Sequence, residues 1–307
     1  MLRGIGRAAH AFRPDVGPQA PVPLDGIIRR PGRYRLDRDI QAARQQPGID
    51  IRAGKVLLDL GGHRVTAAAG SFVNPTYAIR AADISDVTIC NGTLSGGWCG
   101  VHLLRTQACA MTGILVEDSD HIGIVSIAGR DLRIAGCHLK VVVKQLPLPA
   151  GERYTIGMNL KGDAIVVCDT VVEVACADPE EDERPIETIA ILIGADSRDV
   201  RVTGNRIVAS RPLPASYGVW SGTRSVIEVS GNRIENVDYG VAVADEAVAS
   251  VSDNAFSCTP DPTRVGGSRI CSAAMFARAA DLRENGNRID GYTAEVTRYD
   301  PVAAGHQ

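Results

Sequence analysis

The chain has 307 residues, is 45% hydrophobic but only 4% aromatic, and carries 32 glycines and a formal net charge of −3. That charge excludes non-specific nucleic-acid binding, which needs a basic face, and no run of about eighteen apolar residues exists to form a membrane-spanning helix. Abundant Val, Ile, Leu, Ala and Gly beside so few rings disfavour a globular core built on Phe and Trp, and fit a thin core of stacked repeats.

Residues 1–25 are rich in Pro, Arg and Ala and read as an irregular arm. The opening Met1 to His10 is charged and lacks the apolar stretch of a signal peptide, so the expectation is a cytoplasmic protein or one whose signal has been cut away. Pro31 to Leu36 reads as an entry strand, and Asp37 to Gln46 as a short helix or turn. An open solenoid end exposes backbone groups and apolar rungs, so residues 1–46 are assigned to an N-terminal arm and cap.

Residues 47–291 carry the repeat. Val200 to Ile207 reads apolar, free, apolar, free, Gly, Asn, free, apolar, and Ile227 to Ile234 and Leu282 to Ile289 follow the same template. Ala249 to Phe256 is a looser copy. The alternating half is a strand with one face buried, and Gly-Asn supplies a bend, because both residues tolerate positive φ. Weaker copies run back through Ala164 to Val171, Leu132 to Leu139, Cys109 to Val116 and Val87 to Leu94 to Leu58 to Val65. The Asn slot then falls at positions 63, 92, 114, 137, 169, 205, 232, 254 and 287, giving about nine coils. A shortest spacing of 22 residues suits three short strands and three bends per circuit. The asparagines read as a structural ladder along the axis rather than as catalytic groups.

A second strand precedes each template, with a small residue between larger ones: Tyr77-Ala-Ile79, Cys99-Gly-Val101, Ile122-Gly-Ile124, Ile156-Gly-Met158, Ile189-Ala-Ile191, Tyr217-Gly-Val219 and Tyr239-Gly-Val241. Insertions at residues 144–151, 177–185, 211–215 and 259–267 all fall between a template and the following strand of this kind, so they should form a ridge along one edge. Insertions on one face often mark a binding face. Residues 292–307 are assigned to a C-terminal cap and tail. Among the eight cysteines, Cys258 and Cys271 bracket an insertion and either close it as a disulfide or remain thiols.

Pro31 to Leu36, Val56 to Val65 and Val87 to Gly96, followed by the Gly-Asn-Arg-Ile copies, resemble the opening and later coils of the pectin lyase-like superfamily. The resemblance covers about residues 31 to 290. It implies an all-β, single-stranded right-handed parallel β-helix, and it implies polysaccharide lyases, hydrolases, epimerases and esterases alongside phage fibres and binding scaffolds. Fold does not fix function here. The aspartate pair and Gly-His-Gly of polygalacturonase-like hydrolases, and the Asp-Pro-His-Asp of alginate epimerases, are not in the sequence, so no catalytic residue transfers.

Taken from the residues themselves, the strands before each template should turn Arg80, His102, Val125, Asn159, Leu192, Trp220 and Ala242 outward, with Ala82, Leu104, Ile127 and Lys161 two positions further on. A sugar ring would stack on Trp220, acidic groups would meet Arg80, Arg105 and Lys161, and Asn159 is a further substrate-binding candidate. His102 or Lys161 is the candidate base for proton abstraction beside a carboxylate, with Tyr217 or Tyr154 as proton donor. Asp163, Asp196, Asp245 and Glu246 are the candidate carboxylates for a hydrolase. No metal cluster is read from the spacing, though the acidic run Asp178 to Glu183 offers oxygen ligands for a divalent cation such as calcium. The expected reading is therefore an acidic-polysaccharide lyase or epimerase that needs no cofactor. Its rivals are a non-catalytic binding or structural solenoid that forms homo-oligomers through the apolar face, and an enzyme acting on a small molecule.

Overall fold

A computed structural model describes residues 18–71, 73–143, 154–176, 187–259 and 271–299. The insertions at 144–151 and 177–185, and nearly all of that at 259–267, lie outside the described residues. No helix occurs among the described residues, and every strand pairing is parallel. The chain coils through three stacks of strands. The first stack runs through Ile49–Ile51, Tyr77–Ala82, Cys99–Leu104 and onward to Ala273–Arg278 and Ala294–Tyr299. The second contains Val56–Asp59, Arg198–Thr203, Val226–Ser230, Val248–Ser252 and Asp281–Asn285. The third contains Arg64–Ala67, His138–Val143, Val171–Cys176, Ala255–Ser257 and Arg288–Asp290. Pairing is already under way at Ala20–Pro21, Ile27–Ile28 and Ile40–Gln41, within the segment assigned to the cap, and continues past residue 291. The helix or turn expected over Asp37 to Gln46 is that last short strand followed by a turn.

Two sequence features account for the coil. Gly204, Gly231 and Gly286 have φ of 65°, 63° and 65°, with Asp253 and Asp169 in the same position at 57° and 51°. This left-handed residue turns the chain from the second stack into the third. At the start of the first stack a Cβ on Gly123, Gly157, Gly218 or Gly240 would lie 2.5–2.6 Å from a carbonyl oxygen of the next rung. Only Gly, or Ala with slight adjustment, fits so close an approach, which explains the small middle residue of the Tyr-Gly-Val type strands.

The expected ladder is present and continuous. Asn205 donates its backbone N–H and its side-chain Nδ2 to Oδ1 of Asn232, both at 2.9 Å. Asn232 does the same to Asn254, and Asn254 to Asn287 at 3.0 and 3.1 Å. Each Nδ2 also donates to a carbonyl of the preceding rung: Val167, Val202, Val229 and Val251. One slot needs correcting. Thr170, not Asp169, stacks under Asn205 and donates its N–H to Oδ1 at 3.0 Å, because Ile165 rather than Ala164 pairs with Val200. At the other end of the series Leu58 pairs with Ile89, not Val87, so the strand half of the first copy is displaced by two residues.

Replacing Asn232 by Ala strands the Asn205 donors inside the coil. We expect a loss of about 2–3 kcal/mol in chemical denaturation, against under ~0.5 kcal/mol for the exposed Glu284→Ala. Cys258 and Cys271 are joined as a disulfide, whereas Cys90, Cys99, Cys109, Cys137 and Cys168 are buried thiols. Alkylation of the unfolded, unreduced protein should leave these two cysteines unlabelled, and reduction should release both together.

Candidate functional site

The outer face of the first stack orders Asp50, Arg80, His102, Val125, Asn159, Leu192, Trp220, Ala242 and Phe276 in one in-register column. Simple alternation would place Tyr77, Cys99 and Tyr217 on the opposite face, with inward Ile79, Val101 and Val219. The tight bend at the small residue breaks the period of two. Cys99, Ile122, Ile156 and Ile189 leave the interior and pack with Trp98 and Val125 in a second apolar cluster on the outer surface. Tyr77, Leu192, Tyr217 and Trp220 lie against its edge. Two adjacent columns therefore face outward along this sheet.

The two ends of the face differ. At the N-terminal end the Tyr77 ring stacks on His102 with centroids 4.8 Å apart, and Arg80 neighbours His102 in the rung below. Burial, and then the positive charge of Arg80, push the His102 pKa down, so the ring stays neutral to more acidic pH than an ordinary histidine. Its Nδ1 is enclosed in the protein without a hydrogen-bond partner. Burial raises the Tyr77 pKa, which keeps the phenol protonated. Asp50, in the rung below Arg80, is buried and accepts from Arg52 Nε at 2.7 Å.

At the C-terminal end Tyr217 meets Trp220 at 4.5 Å and stacks on Tyr239 at 5.2 Å, and Tyr239 meets Phe276 edge-on at 5.6 Å. Burial pushes the Tyr217 pKa up to about 12, with Glu187 and Tyr239 adding to the effect.

Between the ends stand Asn159 and Lys161. The Lys161 stem lies across Gly194, where a Cβ would be 2.7 Å away, and its charge helps lower the Asp196 pKa after the larger effect of the Arg224 hydrogen bond.

The structure thus brings Arg80 and His102 together, and likewise Trp220 and Tyr217. It does not bring His102, Lys161 and Tyr217 into one centre, because His102 and Trp220 are four rungs apart, ~19 Å at ordinary strand spacing. Arg105 is held by Asp83, with Nη2 to Oδ2 at 2.7 Å, and both side chains are exposed. Asp196 and Glu246 lie two rungs apart with Arg224 between them, its Nε 2.8 Å from Asp196. Tyr154 heads its strand, but its side chain is outside the described residues. No cluster of His, Cys, Asp and Glu suited to a metal occurs among the described residues, and the acidic run at 178–183 lies outside them. Sequence reasoning missed Tyr77, Tyr239 and Phe276 as site residues. Their signal was the recurring Tyr before Gly or Ala, read only as a strand mark.

No protein-family profile matches the sequence, and no curated protein matches it. Solved structures do. A hyperthermoactive exopolygalacturonase from Thermotoga maritima superposes with a TM-score of 0.55 at 10% identity, over 87% of this chain and 83% of that one. The coil has the right-handed parallel β-helix fold. The same fold is shared with the DFA-IIIase of Arthrobacter chlorophenolicus A6 without its lid, at TM-score 0.51 and 12% identity over 86% of this chain and 81% of that one. It is shared too with the tailspike protein of E. coli bacteriophage HK620 in complex with a pentasaccharide, at TM-score 0.55 and 11% identity over 87% of this chain. The match spans only 52% of the tailspike.

A histidine whose folded pKa is depressed contributes stability above its unfolded pKa and loses it as pH falls through the folded value. The wild-type protein should therefore lose stability as pH falls below about 6.5, the ordinary histidine value, and His102→Gln should flatten that dependence in urea melts at stepped pH.

Proposed function

We propose that the outer face of the first stack binds and processes an acidic polysaccharide by abstracting a proton beside a carboxylate, as a lyase or C5 epimerase does. The observation that carries this reading is the junction of Arg80, His102 and Tyr77. The Arg80 guanidinium pairs with a uronate carboxylate and stabilises the charge that develops on it. Neutral His102 takes the C5 proton, and the electron pair moves into the carboxylate as an enediolate. Collapse of that intermediate forms the C4–C5 double bond and breaks the C4–O bond. Tyr77 supplies the proton to the departing oxygen. Return of a proton to the opposite face of C5 gives the epimer instead.

In this assignment His102 is the base. Lys161 and Asn159 hold the next part of the substrate, and Trp220 with Tyr217 belongs to the aromatic end. Arg105, engaged by Asp83, adds positive charge at the rim. A carbohydrate ligand is supported by the exopolygalacturonase and by the pentasaccharide-bound tailspike among proteins of the same fold.

Incubation with polygalacturonate or alginate should produce the ultraviolet absorbance of an unsaturated uronate, or deuterium incorporation at C5 from heavy water. His102→Gln and Arg80→Ala should lower kcat/KM by about 10²-fold or more while the folded protein still melts cooperatively. Absence of both product and isotope exchange across uronic-acid polymers would overturn the reading.

The outer apolar cluster favours a second reading, a non-catalytic binding or structural solenoid. Binding of polymer without turnover, or a change of oligomeric state in Trp220→Ala, would select it.

A further inference from the structure

The face carries more than the proton-abstracting junction uses. Tyr217, Trp220, Tyr239 and Phe276 form a continuous set of ring contacts in the same two columns as His102 and Tyr77. All four rings remain partly exposed. Two residues further along the strand from Trp220 stands Gly222, which carries no side chain, whereas Gly194, beside Leu192, is crossed by the Lys161 stem. Arg52 and Arg80 stand at the other end of the face.

We infer that the face reads two chemically different parts of one substrate: an anionic sugar at Arg80 and His102, and, four rungs away, a sugar unit with an apolar face on the Trp220 platform. This rests on the function proposed above and narrows its substrate. The ligand is an acidic glycan in which charged units alternate with neutral, deoxy or ester-capped ones. It must be long enough to reach from one end to the other, about five units at one unit per ~4.8 Å rung.

The chemistry at each end supports the division. A fully charged polymer would place desolvated carboxylates against the aromatic rings, where Arg278, two residues beyond Phe276, is already engaged by Asp245 at 3.2 Å; Lys161 reaches only the middle of the face. Rings with a polar tip, such as Trp and Tyr, suit an amphipathic sugar face. A second copy of the chain is a poorer occupant. Four half-buried rings fall far short of the ~800 Å² per partner that a stable interface buries. Of the most exposed large apolar side chains, Leu24, Val73, Val226 and Val248 are not part of the platform, and Ile127 lies on this face beside Lys161 but away from the rings.

Calorimetry with galacturonide oligomers of about two and about six units, each free or partly methyl-esterified, tests this. Wild-type protein should bind the long, partly esterified oligomer about tenfold or more tightly than the long free acid, and the short oligomers should show no such preference. Trp220→Ala should collapse the long-over-short and ester-over-acid ratios toward unity, whereas Trp220→Phe, which keeps a ring, should retain them. Ratios unchanged in Trp220→Ala would overturn the two-part assignment while leaving the uronate-processing reading intact. A dimer that Trp220→Ala disrupts, seen by light scattering, would overturn the two-part assignment and select the structural reading. Failure of every uronide to bind would overturn both.

Discussion

Everything in this molecule follows from one requirement: each lap of the chain must lay its backbone one strand spacing, ~4.8 Å, above the last, with its polar groups meeting those of the neighbouring lap. The asparagine ladder shows how strictly that is enforced. Asn232 and Asn254 each accept two hydrogen bonds from the rung before and donate to a carbonyl there, so a single side chain ties down both the bend and the stacking. Because the slot is buried, replacement by an apolar residue leaves donors unpaired rather than merely removing a contact. Where the series gives out, Thr170 continues it with its hydroxyl, accepting from the N–H of Cys137 at 3.3 Å.

The same constraint shapes the surface. A second set of side-chain caps stands at the corner entering the first stack, where Ser216 Oγ accepts from the N–H of Asp238 and Asp238 in turn from that of Ser272, both at 2.9 Å. The bend held there turns the residue before each small Gly or Ala out of the coil. That gives the first stack two outward columns. It sets Tyr77 against His102 and Tyr217 against Trp220, pairings with no counterpart in simple strand alternation. A cationic, histidine-bearing end and an aromatic end are then parts of one surface, although the residues that build them come from laps distant in sequence.

Much of this was legible in the chain. Gly-Asn with flanking apolar alternation marks a strand and a bend wherever it occurs, and the register of the outward column from Arg80 to Ala242 came out as read. Two weak copies were misaligned for local reasons. Asp169 takes the left-handed position that Gly204 fills elsewhere, which moves the slot to Thr170. Around Gly61 and Gly62 the corner is longer, with Leu60 filling the space beneath Gly92. The aromatic and tyrosine contacts escaped for a different reason: period-two reasoning assumes a straight strand, and these strands begin with a corner.

By itself, then, the sequence determined the parallel coil, its three-strand circuit and the residues that line its outer face, because hydrophobic alternation and bend chemistry are local and repeat in every lap. Which of those outward residues become neighbours was decided only in the tertiary structure. Lap length varies, with 27, 22 and 33 residues between successive asparagines of the ladder, and the corner geometry rotates side chains away from their nominal face. Whether His102 meets Tyr77 or Tyr217 depends on rung count and on that rotation, and neither is a property of any short stretch of chain.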